Sequence, residues 1–324
     1  MRVKPVDINW HRGLSIFASD QFLKSVGDEY GWLGGDDDSG KIKCILPYTI
    51  IRRATVRMVR FRVETISLDG QLAVKEEESF LNSVIEYFRS ARADIVIPAT
   101  TNAIFRTYPK GAVAAPYGTY IIDLTQDEET LFSNLSSSHR RKVRLANKAG
   151  VKIRSGLEDI ETAYKLVRET FKRSLIPFMG YAAFKRIVEG LGEQVKILIA
   201  EHQSKVQGCV FIPFSDYSAY YVYGGSIPDP VAGAMNLIHW EAIRTFHHLG
   251  VKRYDFCGVR INPKKGSKQE GLKFFKERFG PRLIQGFMWK YSLNSLKSAV
   301  YSLGIRLLRG GDIVDAERRK LTSQ

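Results

Sequence analysis

The chain has 324 residues, 44% of them hydrophobic, so it can bury a large core, and its length favours two domains over one. Lys and Arg total 49 against 34 acidic residues, a formal charge of +15, which points to anionic partners such as nucleic acid, phosphorylated metabolites or an anionic membrane face. Cys44, Cys209 and Cys257 form no CxxC pair, which excludes a zinc framework, and their apolar surroundings suggest reduced, buried thiols. The N-terminal MRVKPVDINWHRG lacks a hydrophobic signal region. No apolar run approaches the roughly 20 residues that span a bilayer, so a cytoplasmic protein is expected, with any membrane contact peripheral.

Residues 19–30 read as a helix capped by Ser19 or Asp20. GWLGGDDDSGKIKCILPYTIIRR reads as strand, turn, strand, and its aspartate-rich tip is a solvated turn because the downstream glutamate of a calcium loop is missing. MVRFRVETISL alternates like a strand. In KEEESFLNSVIEYFRSARAD, Phe80, Leu81, Val84, Ile85 and Phe88 recur at helical spacing, and DIVIP and TYIIDL follow as short strands. Thr125 to Glu128 (TQDE) is a capping box that opens one long helix ending at Gly150. From residue 151 the order is βααβββαβαβ, an α/β domain around a mixed sheet, and the first 125 residues give a looser version of the same mixture. The three consecutive strands of this region are VKILIAEHQ, VQGCVFIPFS and YSAYYVYGGS. Residues 293–320 read as a final helix.

On a helical wheel GLKFFKERFG (271–280) places Leu272, Phe275 and Phe279 on one stripe with Lys276 at its margin. Lys273 is spaced to pair with Glu277 at i,i+4. Lys276 either snorkels at the helix edge or reaches past the rings into a pocket. An earlier helix carries His139, Arg140, Arg141, Lys142, Arg144 and Lys148, of which Arg140, Arg144 and Lys148 form a ridge at i,i+4. That ridge is either a solvated face or a phosphate contact whose binding weakens with salt. Lys264, Lys265 and Lys268 lie in a basic loop open to the same two readings. His239, His247 and His248 share a helix, but adjacent His247 and His248 point apart, so no metal is expected there. With no Ser-His-Asp or Cys-His set, no acyl-enzyme is expected either. Leu293, Leu296, Val300, Leu303 and Leu307 form a stripe beside Lys297, Arg306 and Arg309. Packing against the first domain is favoured for it over resting on an anionic membrane.

The order after residue 150 is that of the GNAT acyltransferase fold. RYDFCGV, GLKFFKERFG and the aromatic strand after them resemble the C-terminal signature of the FemABX family. NLSSSHRRKVRLANKAGVKI resembles that family's basic helix, and YYVYGGSIPDPVAGAMNLIHWEAIRTFHHLGVKRYDFCGV its central strand, turn, helix and strand. The resemblance covers about residues 119–292 and is to the compact form without a coiled-coil arm. It implies an α/β fold of two GNAT-like domains, 1–150 plus 293–324 and 151–292, with the C-terminal helix packing back on the first.

By the same resemblance, the implied function is transfer of an amino acid from aminoacyl-tRNA to the stem-peptide amine of a UDP-linked or lipid-linked muropeptide. No cofactor and no metal are implied, and a monomer with peripheral contact at the inner membrane face is expected. Phe275 and Lys276 would stabilise the tetrahedral intermediate. Tyr223 and Tyr254 would line the acceptor pocket, and Arg173 would reach the acceptor's phosphate. Arg140, Arg144, Lys148, Lys264 and Lys265 would contact tRNA phosphates. YGGSIPDPVAGAMN departs from the Gly-rich pyrophosphate turn of CoA-dependent relatives, and Pro228 and Pro230 stiffen it, which argues against acetyl-CoA. An N-acyltransferase using a CoA-linked or carrier-linked donor, and a non-catalytic RNA-binding protein, stay open as alternatives.

Overall fold

Glycine and proline punctuation, with runs of β-branched residues between, divides the chain into fourteen strands and ten α-helices among the described residues, which in this computed structural model are 1–37, 39–68, 70 and 72–321. The first half runs β1 (Arg2–Val6), α1 (Asp20–Val26), β2 (Glu29–Asp36), β3 (Ile42–Arg53), β4 (Val56–Phe61), β5 (Ile66–Ser67), α2 (Val74–Ser90), β6 (Ile95–Val96) and β7 (Val113–Asp123). Helix α2 lays Phe80, Leu81, Val84, Ile85 and Phe88 onto Leu33, Leu46, Val59 and Phe61 of β2, β3 and β4, the face its periodicity predicts. Of the aspartate tip between β2 and β3, Asp38 lies outside the described residues; Asp37 accepts from the hydroxyl and amide of Ser39, as a solvated turn does.

Next come α3 (Glu128–Asn134), α4 (Ser137–Lys148), β8 (Lys152–Ser155), α5 (Ile160–Arg173), α6 (Tyr181–Leu191), β9 (Val195–His202), β10 (Lys205–Pro213), β11 (Ala219–Tyr220) and β12 (Tyr223–Ser226). The chain ends with α7 (Ala234–His248), β13 (Arg253–Asp255), α8 (Lys268–Glu277), β14 (Arg282–Ser292), α9 (Ser295–Arg309) and α10 (Ile313–Leu321). One sheet runs β1-β2-β3-β4-β6-β14-β7-β13-β11, and a second is β12-β10-β9-β8. The long β14 joins the two halves: its end pairs with β6 at Tyr291↔Val96, and its body pairs with β7 from Arg282 to Lys290. Two sheets flanked by helices agree with the expected α/β fold of two GNAT-like domains, although β11, β13 and β14 of the second half pair into the larger sheet. Cys44, Cys209 and Cys257 are buried and free.

Four local expectations are corrected. The helix over 19–30 stops at Val26, because Gly27 is extended and a Cβ there would lie 2.7 Å from that of Thr49. The single helix over 125–150 is two: Asp127, not Thr125, caps α3, and Ser136 caps α4 after Leu135 turns extended. YSAYYVYGGS is not one strand, since β11 pairs in parallel with β13 while β12 pairs antiparallel with β10. The chain thereby changes sheets at Tyr221 and Val222. The last segment breaks at Gly310 and Gly311, whose positive φ of 70° and 107° no L side chain adopts easily. It does pack back on the first half: Tyr301 meets Met58 and Ile95, and Val314 meets Ile104 and Tyr117.

Candidate functional site

Helix α8 starts at Lys268, where the Ser267 hydroxyl accepts from the Glu270 amide, so part of the basic loop is already helical. Its apolar stripe is uneven. Phe279 is buried and Phe275 half-buried, but Leu272 is exposed, so only part of the stripe packs inward. Lys276 turns inward. Its Nζ donates to the carbonyl oxygens of Phe256 at 2.8 Å, Cys257 at 3.0 Å and Gly258 at 2.7 Å. Three acceptors take three hydrogens, so this is an ammonium. Burial pulls its pKa down to about 8, against the opposing pull of Cys257 and Asp255. Lys273 sits 3.4 Å from Glu277 in the surface pair expected of it.

The three carbonyls converge because the chain after β13 is bent sharply. Cys257 has φ 47° and Gly258 φ 71°. A left-handed cysteine costs about 1–3 kcal/mol and persists only where its surroundings hold it. Asp255 does so: its Oδ1 accepts from the Cys257 amide at 2.7 Å and from the Thr119 hydroxyl. Burial raises the pKa of Asp255, while the bonds from Thr119 and Cys257 favour the charged form. Asp255 was overlooked in the sequence, although a lone acid inside the apolar run YDFCG is a visible signal.

Alternation along β7, β13 and β14 puts Thr119, Asp123, Asp255 and Arg253 on the sheet face opposite Tyr120 and Tyr254. With Glu64, Asn102 and Tyr217 they line a trough of about 670 Å³. Burial pushes the carboxyl of Glu64 up to about 7, with Arg253 holding it back. The Arg253 guanidinium lies 3.8 Å over the Tyr217 ring. Another groove, of about 830 Å³ near Trp10 and Arg186, is larger. The trough is the candidate site because it holds the displaced carboxyl of Glu64 and because Asp255 in its wall fixes the bend whose carbonyls hold Lys276.

Under α8 lies a layer of rings. His139, expected on a cationic face, is buried, with Nε2 3.1 Å from the Phe275 carbonyl oxygen. Burial lowers its pKa to about 4 and that of His239 to about 3. Tyr254 is fully buried, its hydroxyl 3.1 Å from His239 Nδ1, so it supports the layer from within. Phe275 touches His139, His239 and Phe279.

The remaining candidates lie elsewhere. Tyr223 is half-buried among Phe171, Phe178, Phe184 and Phe211. Burial raises its pKa, and the nearby Arg60 and Arg62 lower it. Those two arginines were not singled out in the sequence. Arg173 Nη2 donates to the Ser226 carbonyl at 2.6 Å and to Thr170 Oγ1, holding the end of β12. Of the ridge on α4, Arg140 donates to the Ser133 carbonyl at 2.6 Å, Arg144 stacks 5.6 Å over Phe132, and Lys148 is exposed. Lys264 and Lys265 are exposed just before α8. No group of three or more His, Cys, Asp or Glu side chains suited to a metal occurs among the described residues.

Residues 107–206 match the FemAB family. The fold is similar to that of FemX, with a TM-score of 0.68 at 14% identity over 93% of this chain and 99% of that one. It is also similar to the C-terminal domain of a putative lysylphosphatidylglycerol synthetase from Agrobacterium fabrum (TM-score 0.53, 12% identity, 88% of this chain, 91% of that one). The L-PGS structure from Bacillus licheniformis has TM-score 0.51 at 10% identity over 89% and 90% of the two chains. A search of curated protein sequences returned no match.

Proposed function

We propose, on the premise that the chain is a FemABX-family protein of two GNAT-like domains, that it transfers an amino acid from aminoacyl-tRNA to the stem-peptide amine of a peptidoglycan precursor. The family supports peptidoglycan-bridge aminoacyl transfer in general terms; the donor, the acceptor and the residue roles are our reading. The boundary at residue 150, with 293–324 joined to the first domain, and a monomer in the cytoplasm belong to the same proposal.

The observation that carries the reading is a desolvated ammonium on the bend just after β13, together with a carboxyl poised near neutrality in the trough that Arg253 and Asp255 of β13 line. Aminolysis of an ester needs both. The attacking amine forms a C–N bond, negative charge gathers on the ester carbonyl oxygen, and a cation fixed in a dry site stabilises it. In the free protein all three Lys276 N–H bonds go to backbone, so one turns to the oxyanion when the ester arrives. Glu64 accepts the proton the amine loses and returns it to the ribose oxygen as the C–O bond breaks. Phe275 holds the ring layer under Lys276. Tyr223, with Arg60 and Arg62, faces the acceptor, and Arg173 keeps β12 in place for it. Tyr254 acts through His239 rather than by touching substrate. Arg144, Lys148, Lys264 and Lys265 meet tRNA phosphates, while Arg140 steadies α3 against α4.

The test is incubation of the protein with mixed charged tRNAs and either a UDP-linked or a lipid-linked muropeptide, read by mass spectrometry of the acceptor. A mass gain of one amino acid residue that requires charged tRNA is expected. Consumption of acetyl-CoA with no tRNA requirement would overturn the reading.

A further inference from the structure

Helix α9 faces the wrong way for a helix held by its apolar side. Leu296, Val300, Leu303 and Leu307 follow i, i+4, i+7, i+11 spacing and form one stripe. They are 80%, 72%, 58% and 78% exposed, and Leu308 beside them is 80% exposed. The side turned to the protein is largely polar. Lys297 Nζ lies 3.0 Å from Asp94 Oδ1 and donates to the Thr55 carbonyl at 2.7 Å. The Ser298 hydroxyl and the Asn294 amide both donate to the Asp94 carbonyl. Tyr301 adds a partly buried ring against Met58, Ile95 and Ile97. In α2 the order is the usual one, with its phenylalanines inward and Lys75, Glu76 and Glu78 outward. A contiguous row of exposed leucines of this kind marks a surface built to be covered.

The charge around the stripe narrows what covers it. Arg306, at the edge of the stripe, is exposed and has no ion pair among the described residues. Arg53, the last residue of β3, is exposed two positions before Thr55. The nearby acids are already paired: Asp94 with Lys297, Asp312 and Asp315 with Lys290, and Glu317 with Arg260 and Lys320. What remains is an apolar row with an unpaired cation at its edge on a chain of net charge +15. A second copy packed stripe to stripe would bring cation against cation. A bilayer surface with anionic headgroups satisfies both features, the acyl region taking the leucines and the headgroups Arg306. No helix among the described residues is long and apolar enough to cross a membrane, so this contact would be parallel to the surface.

We propose that α9 is an interfacial helix that lays Leu296, Val300, Leu303 and Leu307 into the surface of an anionic phospholipid bilayer. This corrects the expectation from sequence that the stripe packs against the first domain for all but Leu293, which does pack there, and it extends beyond the transfer reaction, since vesicle binding needs no turnover. The experiment is co-sedimentation of the full chain with vesicles of about three parts phosphatidylcholine to one part phosphatidylglycerol, and with phosphatidylcholine alone. Wild type should sediment with the anionic vesicles, less so as salt rises. Leu303→Asp/Leu307→Asp should bind at least about tenfold more weakly with an unchanged melting curve, because both side chains are exposed. Arg306→Glu should weaken binding by a smaller factor. Equal sedimentation of wild type and the double variant, or no preference for anionic vesicles, would overturn the proposal. So would a wild-type dimer in sedimentation velocity that the double variant dissociates, since a second copy would then be the cover.

Discussion

Helices α4 and α8 both carry closely spaced cations, and on a wheel they look alike. In α8 one lysine is taken out of water and given to three carbonyls. In α4 the cations stay at the surface, spent on a helix end and a phenyl ring or left in solvent, while the histidine just before them is buried. A charge at the surface interacts weakly and is screened within about 8–10 Å at ordinary salt. The same charge in a dry site acts several times more strongly on a developing oxyanion. The comparison predicts that α8 governs rate and α4 governs affinity.

The largest expected effect is on Lys276. Lys276→Met should lower single-turnover transfer by about 10³-fold with little change in tRNA affinity. Full transfer by this variant would detach the lysine from the chemistry. Glu64→Gln should lower transfer by about 10²-fold and flatten a wild-type pH–rate profile that rises through about 7. The sign for stability follows from the same shift. The folded value of about 7 lies above the ordinary 4.5, so the contribution of Glu64 is fully present below 4.5 and is lost as pH rises through 7. Chemical denaturation of wild type and Glu64→Gln between those limits should therefore diverge, with the variant losing less as pH rises.

On α4 the effect should be of another kind. Arg144→Ala/Lys148→Ala should leave turnover at saturating tRNA within about twofold and weaken RNA binding. The log–log salt slope should flatten by about 0.7–0.9 for each phosphate the variant no longer neutralises, as filter binding over a salt series would read. An unchanged slope would mean these cations only solvate the face. The smallest effect belongs to Lys273, three residues from Lys276 on the same helix. Lys273→Ala should cost no more than about 0.5 kcal/mol in denaturant melts and leave transfer within about twofold.

Much of this was legible in the residues. The Phe80 to Phe88 spacing specified α2, and the Lys273–Glu277 spacing its ion pair, because both depend on neighbours one helical turn apart. The junction at Leu135, the change of sheet at Tyr221 and Val222 and the burial of His139 were not, because each depends on partners more than a hundred residues away or in another sheet. Ser136 N donates to the Arg278 carbonyl, Tyr221 N to the Asp255 carbonyl, and His139 meets the Phe275 carbonyl. Asp255, Glu64 and the paired Arg60 and Arg62 escaped notice for the same reason: isolated charges in strand-like runs acquire meaning only when another strand brings them company.

The sequence by itself determined the layered α/β architecture, the basic surface, the free buried thiols and the position of Lys276 at the edge of an apolar stripe. Composition and short-range periodicity specify such things. Tertiary structure alone decided which cation leaves water and which leucines stay in it. Lys276 is held because Cys257 and Gly258 bend three carbonyls toward it, and α9 shows its leucines because Lys297 and Ser298 secure its polar side to Asp94. Burial is set by long-range pairing, and burial fixes what a charge or an apolar side chain can do.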